Sequence, residues 1–289
     1  MPHLMEPMGD PVHLRALSFF AAVFGILAQI IYVFTDGRPR VWVTVMVVLS
    51  FFACAALHAA SESFLAFLTL MVAGVLLGFV AEFMGDRLGV PFGSYDYAPG
   101  TWLKVLGVPA IVPFAWAMIA WPAFVAGRMV GKPLLGAPIL AAWDLFLDPQ
   151  MVDDGRWTWA KTAWPKINGV PVSNLIGWLI VGALMMFFLD QGVNHVIDFE
   201  GIPLLVLAWT AVSSFVGHLL FFGLRGSAVV GGIAMALALA PVVMAFLGST
   251  GRRPGRVQVR TQGREQGRAR ANSQGPDARD AAIGRDRGR

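Results

Sequence analysis

Residues 142–159 read AWDLFLDPQMVDDGRWTW and open a polar, aromatic stretch that runs on to Trp178. This stretch concentrates aspartates and tryptophans in a chain that is otherwise apolar. Ionisable side chains at membrane depth are costly, so their presence in an apolar environment indicates a functional site. We therefore expect the remaining sequence to form a scaffold around residues 142–178.

The composition is that of an integral membrane protein. Hydrophobic residues make up 56% of the chain and charged residues only 14%, with a mean hydropathy of +0.64. Soluble domains carry about a quarter charged residues. The one cysteine, Cys54, lies in an apolar run, so no disulfide can form within a single chain. The sequence predicts a multi-pass protein of the cell membrane.

Apolar segments predict an all-α transmembrane helix bundle of seven or eight spans. A helix rises ~1.5 Å per residue, so about 20 residues cross a hydrocarbon core of ~30 Å. The predicted segments are residues 14–34, 41–60, 64–84, 111–129, 134–147, 172–189, 204–222 and 229–247. The fifth is short for a crossing and is either a span or a re-entrant segment. In the third, Gly74 and Gly78 have the spacing that allows close helix contact.

The two ends of the chain differ in charge. We expect residues 1–250 to form a transmembrane catalytic domain and residues 251–289 a basic tail. The tail has eleven arginines against four acidic residues and is rich in glycine and glutamine. Such a composition cannot bury a core and predicts disorder. Contact with anionic lipid is a better interpretation of this tail than binding of nucleic acid.

Three carboxylic acids are the first candidate catalytic residues. Asp144 and Asp148 are four residues apart and project from one helix face. Asp148 precedes Pro149, which predicts a helix end, where the helix dipole disfavours a negative charge. Burial and the neighbouring carboxylate also favour the protonated acid. Glu82 lies at the end of the third predicted span in a similar position. The alternative for each is an interfacial carboxylate bonded to water or arginine.

An irregular aromatic segment supplies further candidates. Residues 89–97 read GVPFGSYDY, a backbone tolerated in a membrane protein only at the interface or beside a protein cavity. Interfacial belts explain many tryptophans and tyrosines without any catalytic duty. Aromatic faces also stabilise cations, however. The candidate binding residues are Phe92, Tyr95, Tyr97, Trp157, Trp159, Asn174 and Trp178, and Asp96 is a fourth candidate acid.

The order of these segments resembles the membrane carotenoid hydratases. The resemblance rests on Glu82 followed by PFGSYDY (91–97), GVP (107–109), LDP (147–149), WTW (157–159), GVPVSN (169–174) and GW (177–178). It covers about residues 15–247 and leaves out the tail. That family includes the bisanhydrobacterioruberin hydratases and the γ-carotene 1′-hydroxylases, which act without oxygen.

The resemblance implies addition of water to the terminal C1=C2 bond of an acyclic carotenoid, without a cofactor. A neutral carboxyl in an apolar site can deliver the proton, and a second carboxylate can take one from water. We assign these roles to Asp148 and Glu82. We expect Glu82, Asp96 and Asp148 to line one pocket with Tyr95, Trp157 and Asn174. The implied partners are a carotenoid, membrane lipid and other membrane enzymes of carotenoid synthesis, with no nucleic acid.

Two other classes of protein fit parts of the pattern. The pair Asp144 and Asp148 has the spacing of an aspartate motif that binds a Mg²⁺-diphosphate, as in an intramembrane prenyltransferase. That class needs a second aspartate-rich motif and several cations, and Asp190, Asp198 and Glu200 are a weak substitute. A transporter or a carotenoid-binding protein without catalysis needs polar residues in the middle of its spans, which are few here.

Overall fold

The computed structural model describes residues 2–100, 102–161, 165–193, 196–197 and 200–251. It contains two compact units, Met1–Ala245 and Phe246–Arg289, and the second is described only as far as Gly251. The predicted disorder of the tail therefore falls outside the described residues.

The described chain is almost entirely helical, which confirms the all-α prediction. The helices are α1 (Pro11–Tyr32), α2 (Gly37–Glu62), α3 (Phe64–Leu70), α4 (Leu77–Leu88), α5 (Val112–Met129), α6 (Gly136–Asp153), α7 (Val172–Gly192), α8 (Gly201–Leu220) and α9 (Arg225–Gly251). A π-helical turn, Met71–Leu76, joins α3 to α4 in one continuous run. Two short 3₁₀ helices are Pro2–Met5 and Pro133–Leu135.

Six helical runs in the described chain are long and apolar enough to cross a membrane. They are Pro11–Tyr32, Gly37–Glu62, Phe64–Leu88, Val172–Gly192, Gly201–Leu220 and Arg225–Gly248. The other two predicted segments, α5 and α6, are helical as well but are largely enclosed by the bundle. The chain is therefore a multi-pass membrane protein in which the outer helices expose apolar side chains and α5 and α6 form the centre.

Helix α6 corrects the prediction that a helix ends at Asp148. The helix continues through Pro149 to Asp153 and is 18 residues long. Proline has no N–H, so the carbonyl of Leu145, four residues earlier, loses its helical partner. The hydroxyl of Ser227 donates to that carbonyl at 2.6 Å. Serine side chains commonly satisfy carbonyls freed by proline in membrane helices. Asp148 consequently lies inside a helix, with one further turn after it.

The run from α3 to α4 packs closely on α5 through two glycines. A Cβ at Gly74 would lie 2.9 Å from the Cβ of Ala117, and a Cβ at Gly78 would lie 2.9 Å from the Cβ of Trp116. Only glycine allows the helices to approach so closely, as the spacing predicted. This packing places Glu82, one turn beyond Gly78, beside Trp116.

Six short strands form three two-stranded antiparallel sheets in the described loops. They are β1 (Tyr95–Tyr97), β2 (Lys104–Val105), β3 (Val108–Pro109), β4 (Trp157–Trp159), β5 (Lys166–Ile167) and β6 (Val170–Pro171). The pairs are β1 with β4, β2 with β3, and β5 with β6. In the first pair, Tyr95 lies opposite Trp159 and Tyr97 opposite Trp157. The loop after α4 is thereby joined to the loop after α6.

Candidate active site

Glu82 is held by three hydrogen-bond donors. The phenols of Tyr95 and Tyr97 each donate to its Oε2 at 2.6 Å, and the indole N–H of Trp116 donates to its Oε1 at 2.8 Å. Burial, with the nearby Glu82 carboxyl adding to it, raises the pKa of Tyr95 and Tyr97 well above the usual phenol value. Both phenols therefore stay neutral and donate. Three donors facing one carboxyl form the hydrogen-bonding pattern of an ionised carboxylate.

A second acidic group is formed by Asp144, Asp148 and Asn174. The side-chain amide nitrogen of Asn174 donates to Oδ2 of both aspartates at 2.6 Å. Trp157 lines the same cavity as Asp148. Oδ1 of Asp144 is buried and has no hydrogen-bond partner among the described residues. Two buried carboxyl groups that share one amide and lie one helical turn apart are expected to titrate as a pair.

Glu82 and Asp148 face one cavity of about 90 Å³, the aromatic cavity. A water molecule needs about 10–15 Å³ of such space, so the aromatic cavity has room for water beside a small apolar group. Nine of its twenty described lining residues are aromatic. They are Phe92, Tyr95, Tyr97, Trp102, Trp116, Trp143, Trp157, Trp159 and Trp178.

The aromatic rings of the aromatic cavity pack on one another in pairs. Trp178 stacks on Trp116 with ring centroids 3.7 Å apart, and Trp143 meets Trp178 edge-on at 5.9 Å. Across the β1–β4 pair, the rings of Tyr95 and Trp159 are 5.0 Å apart. These contacts fix the rings in place, so that several π faces surround the space between the two acids. Such faces attract a positive charge.

The structure brings together most of the residues that the sequence singled out. Those that line the aromatic cavity are Glu82, Phe92, Tyr95, Tyr97, Asp148, Trp157, Trp159, Asn174 and Trp178. Asp144 does not line it, but it is bonded to Asn174, which does.

Asp96 was predicted to line the pocket with Glu82 and Asp148, and the structure corrects this prediction. Asp96 lies between Tyr95 and Tyr97 on β1, and successive side chains of a strand point to opposite faces. Both tyrosines are buried and Asp96 is exposed. The strand therefore turns the carboxylate away from the aromatic cavity, and Asp96 cannot be one of its acids.

Sequence reasoning missed three tryptophans of the site, Trp102, Trp116 and Trp143. Trp116 donates to Glu82, and Trp143 packs against Trp178. On sequence grounds, most tryptophans were instead explained as part of the aromatic belts at the membrane interfaces. Trp116 and Trp143 are almost completely buried, with 1% and 5% of their surface exposed. One signal was present in the sequence: Trp116 lies inside a predicted span, where a belt residue does not belong.

The side chains around the acids can be compared with those that a prenyltransferase would need to bind a Mg²⁺-diphosphate. No lysine, arginine or histidine occurs among the described residues that line the aromatic cavity. Within the described part of the chain, no group of three or more His, Cys, Asp or Glu residues is arranged to hold a metal ion. A diphosphate would thus meet mainly carboxylates and indoles here; Lys104 and Arg156 are not lining residues but lie over the rings of Tyr97 and Trp102 at 5.6 and 5.8 Å.

Comparison with known proteins assigns the part of the chain that contains the aromatic cavity to one protein family. The carotenoid biosynthesis protein family matches residues 41–247, a range that includes every residue lining the aromatic cavity. A bisanhydrobacterioruberin hydratase of Haloarcula japonica is 26% identical over 178 residues, which cover 53% of this chain and 58% of that protein. The matched part of the chain thus spans less than two thirds of that relative. No solved structure matches the chain.

Proposed function

Because the chain belongs to the carotenoid biosynthesis protein family, we propose that it is a carotenoid hydratase that adds water to the terminal C1=C2 double bond of an acyclic end group. The observation that carries the proposal is the pairing of two different acids across one aromatic cavity. One acid, Glu82, is bonded as a carboxylate; the other, Asp148, belongs to a buried carboxyl pair.

The first step is protonation of the alkene. Asp148 and Asp144 together hold one proton, because two adjacent buried carboxylates cannot both ionise without a large repulsive cost. Asp148 is the donor of the pair, since it faces the aromatic cavity and Asp144 does not. The proton forms a bond to C2, the π electrons of the C1=C2 bond supply the electron pair, and a tertiary cation remains at C1.

The second step is stabilisation of that cation. The indoles of Trp116, Trp143 and Trp178 and the carboxylate of Glu82 line the space where it forms. Cation–π attraction is worth about 2 kcal/mol or more per contact in a desolvated site. The carboxylate is fixed by three donors before the reaction, so little reorganisation accompanies the appearance of positive charge.

The last step is capture of the cation by water. A water oxygen forms the C1–O bond, and Glu82 accepts the released proton as general base. The net change is addition of one water, with one proton moved from Asp148 to Glu82. Water in the aromatic cavity then returns the proton to Asp148. Trp159 also lines this space, and its buried indole N–H has no protein partner among the described residues.

The proposal extends to the setting of the reaction. The substrate is a lipid-soluble polyene, so we place the enzyme in the cell membrane, in contact with lipid and with other membrane enzymes of carotenoid synthesis. A lipid-soluble substrate reaches a site enclosed by membrane helices without passing through water.

Expression in a lycopene-accumulating host tests the proposal. Pigments that are heavier than lycopene by one or two waters are expected by mass spectrometry, and they should be absent with Asp148→Asn. Unchanged lycopene in cells that contain the inserted wild-type protein would contradict hydration and favour a non-catalytic carotenoid-binding protein. Assays of membranes with a chelator of divalent cations separate hydration, which should persist, from a Mg²⁺-dependent prenyl transfer.

A further inference from the structure

A cavity larger than the aromatic cavity lies elsewhere among the described residues. A second space of about 370 Å³, the side chamber, lies between α1, α2, α6 and α8. No charged side chain occurs among its described lining residues. Its polar groups are neutral and few, and they include Gln29, Gln150 and Thr210. The hydration chemistry described above uses none of these three polar side chains.

The side chamber adjoins the aromatic cavity. The residues that line both are Thr44, Val48, Met118, Trp143, Leu147 and Met151. These residues form a shared wall between the two spaces. A molecule with one end beside Asp148 would extend past this wall into the side chamber.

The side chamber also reaches the outer surface of the bundle. Phe34 on the α1 side, and Val212 and Val216 on α8, line it while exposing 75%, 61% and 36% of their surface. In membrane-spanning helices such apolar side chains face hydrocarbon. Helix α1 packs extensively on α2 and only sparsely on α8. The side chamber therefore reaches the outer surface between α1 and α8, where the indole N–H of Trp209 donates to Gln29 across the gap at 2.8 Å.

A hydrogen-bonded network holds the helices around the side chamber. Gln150 donates to the hydroxyl of Tyr32 at 2.9 Å, and that hydroxyl donates to Asp154 at 2.9 Å. Arg40 donates to the same carboxylate at 2.6 Å. The network joins the C-terminal ends of α1 and α6 to the start of α2. These hydrogen bonds fix the positions of α1, α2 and α6 on this side of the side chamber.

We propose that the side chamber binds the polyene chain of the carotenoid while the reacting end group lies in the aromatic cavity, and that the substrate enters from the bilayer between α1 and α8. The inference rests on the proposed function. A carotenoid is far too long for a space of about 90 Å³, so its chain must leave the aromatic cavity. The neutral lining of the side chamber suits an uncharged hydrocarbon. An acyl chain of a membrane lipid is the competing occupant.

The test compares a long and a short substrate with the same terminal group. Ser213→Phe and Val216→Phe place bulk in the side chamber from α8, away from the acids. Both variants should lower kcat/KM for lycopene by about tenfold or more, as overpacking does. Turnover of geranylacetone, which has the same terminal double bond and a short chain, should remain within a factor of about two of wild type. Ala208→Phe is the matched control, because Ala208 lies on α8 and is exposed outside the chamber.

A binding measurement separates this inference from the proposed function. Quenching of tryptophan fluorescence by lycopene in nanodiscs should be retained in Asp148→Asn and weakened by about tenfold in both phenylalanine variants. That pattern supports the side chamber even if no substrate is hydrated. If both phenylalanine variants, eluting as monodisperse folded protein, bind lycopene like Ala208→Phe, the chamber does not hold the polyene and is occupied by lipid. Equal loss of both substrates would also overturn the inference.

Discussion

Asp148 and Glu82 have the same functional group but opposite hydrogen-bonding environments. Glu82 receives three donors from neutral aromatic side chains. Asp148 shares one amide with a second carboxyl group and so belongs to a pair in which a proton can be retained. The assignment of acid and base follows from these partners, because a general acid must hold a proton and a general base must be free of one.

Asp148→Asn should abolish hydration while the protein still inserts. Asparagine preserves shape and hydrogen bonding but has no acidic proton, and general acid catalysis is worth roughly 10²–10⁴-fold. Asp144→Asn should have a smaller effect, because it removes only the partner that keeps the proton on the pair. Product formation in membranes with equal amounts of each variant is the measurement. Near-normal turnover in Asp148→Asn together with an inactive Glu82→Gln would reverse the two roles.

Tyr97→Phe should lower kcat because the phenylalanine ring fills the same space without donating to Glu82. A hydrogen bond to a charged group is worth about 1.5–3 kcal/mol, so a loss of about ten- to a hundredfold is expected. Tyr95→Phe should behave similarly, and KM should change less than kcat. Asp96→Asn is the control from the same strand: its side chain is exposed and turnover should stay at the wild-type level. If Asp96→Asn loses as much activity as Tyr97→Phe, the orientation of β1 described here is wrong.

At the level of the helices, two local features set the positions of the acids. Helix α6 continues through a proline, which keeps Asp144 and Asp148 on one face of a regular helix. The run from α3 to α4 approaches α5 through glycines, which brings Glu82 to Trp116. Neither feature contacts the substrate, and both position groups that do.

Ser227→Ala should destabilise the bundle by about 1–3 kcal/mol, because it leaves the buried carbonyl of Leu145 without its donor. Pro149→Ala restores an N–H to the helix, and that N–H can donate to the same carbonyl. In the Pro149→Ala background, the effect of Ser227→Ala on the midpoint of thermal unfolding should therefore be much smaller. Equal effects in both backgrounds would show that Ser227 does not replace the helical bond.

Gly78→Leu should reduce both stability and activity. A Cβ at Gly78 already lies 2.9 Å from Trp116, so a leucine must push the α3–α4 run away from α5. Overpacking costs about 1–3 kcal/mol, and the displacement also moves Glu82 from its indole donor. Gly248→Leu is the matched control, because no heavy atom lies within 4 Å of a Cβ there. The midpoint of thermal unfolding and the rate of hydration are measured for both variants. Wild-type stability and activity of Gly78→Leu would refute the close contact between Gly78 and Trp116.

On the scale of the whole molecule, the enclosed helix α6 carries Asp144 and Asp148, whereas the membrane-crossing runs that contain α4 and α7 supply Glu82 and Asn174. Both cavities lie among residues of the first unit, Met1–Ala245. Every residue needed for the proposed reaction lies before residue 179. The basic tail contributes none of them.

Truncation after Gly251 should therefore leave hydration unchanged. The removed residues, 252–289, carry eleven arginines and few apolar side chains, a composition that cannot build part of a catalytic core. Product formation per amount of inserted protein is compared with that of the full chain. A truncated protein that inserts normally and forms no product would show that the tail takes part in the reaction.

The sequence by itself determined the helix bundle and marked nine of the residues that line the aromatic cavity, including both acids. Hydropathy over about 20 residues reflects the transfer of each helix into lipid, which depends on local composition. For the same reason, acids and irregular aromatic segments in an apolar chain already marked Glu82, Asp148 and Tyr95 as candidates.

Only the tertiary structure decided how those residues face one another. The exposure of Asp96 depends on the pairing of β1 with β4, and the donor to Glu82 from α5 lies 34 residues away in sequence. The continuation of α6 past Pro149 depends on Ser227, 82 residues from the carbonyl that it satisfies. Local patterns cannot specify such partners, because hydrogen bonds and cavities are formed between helices that meet only after the chain has folded.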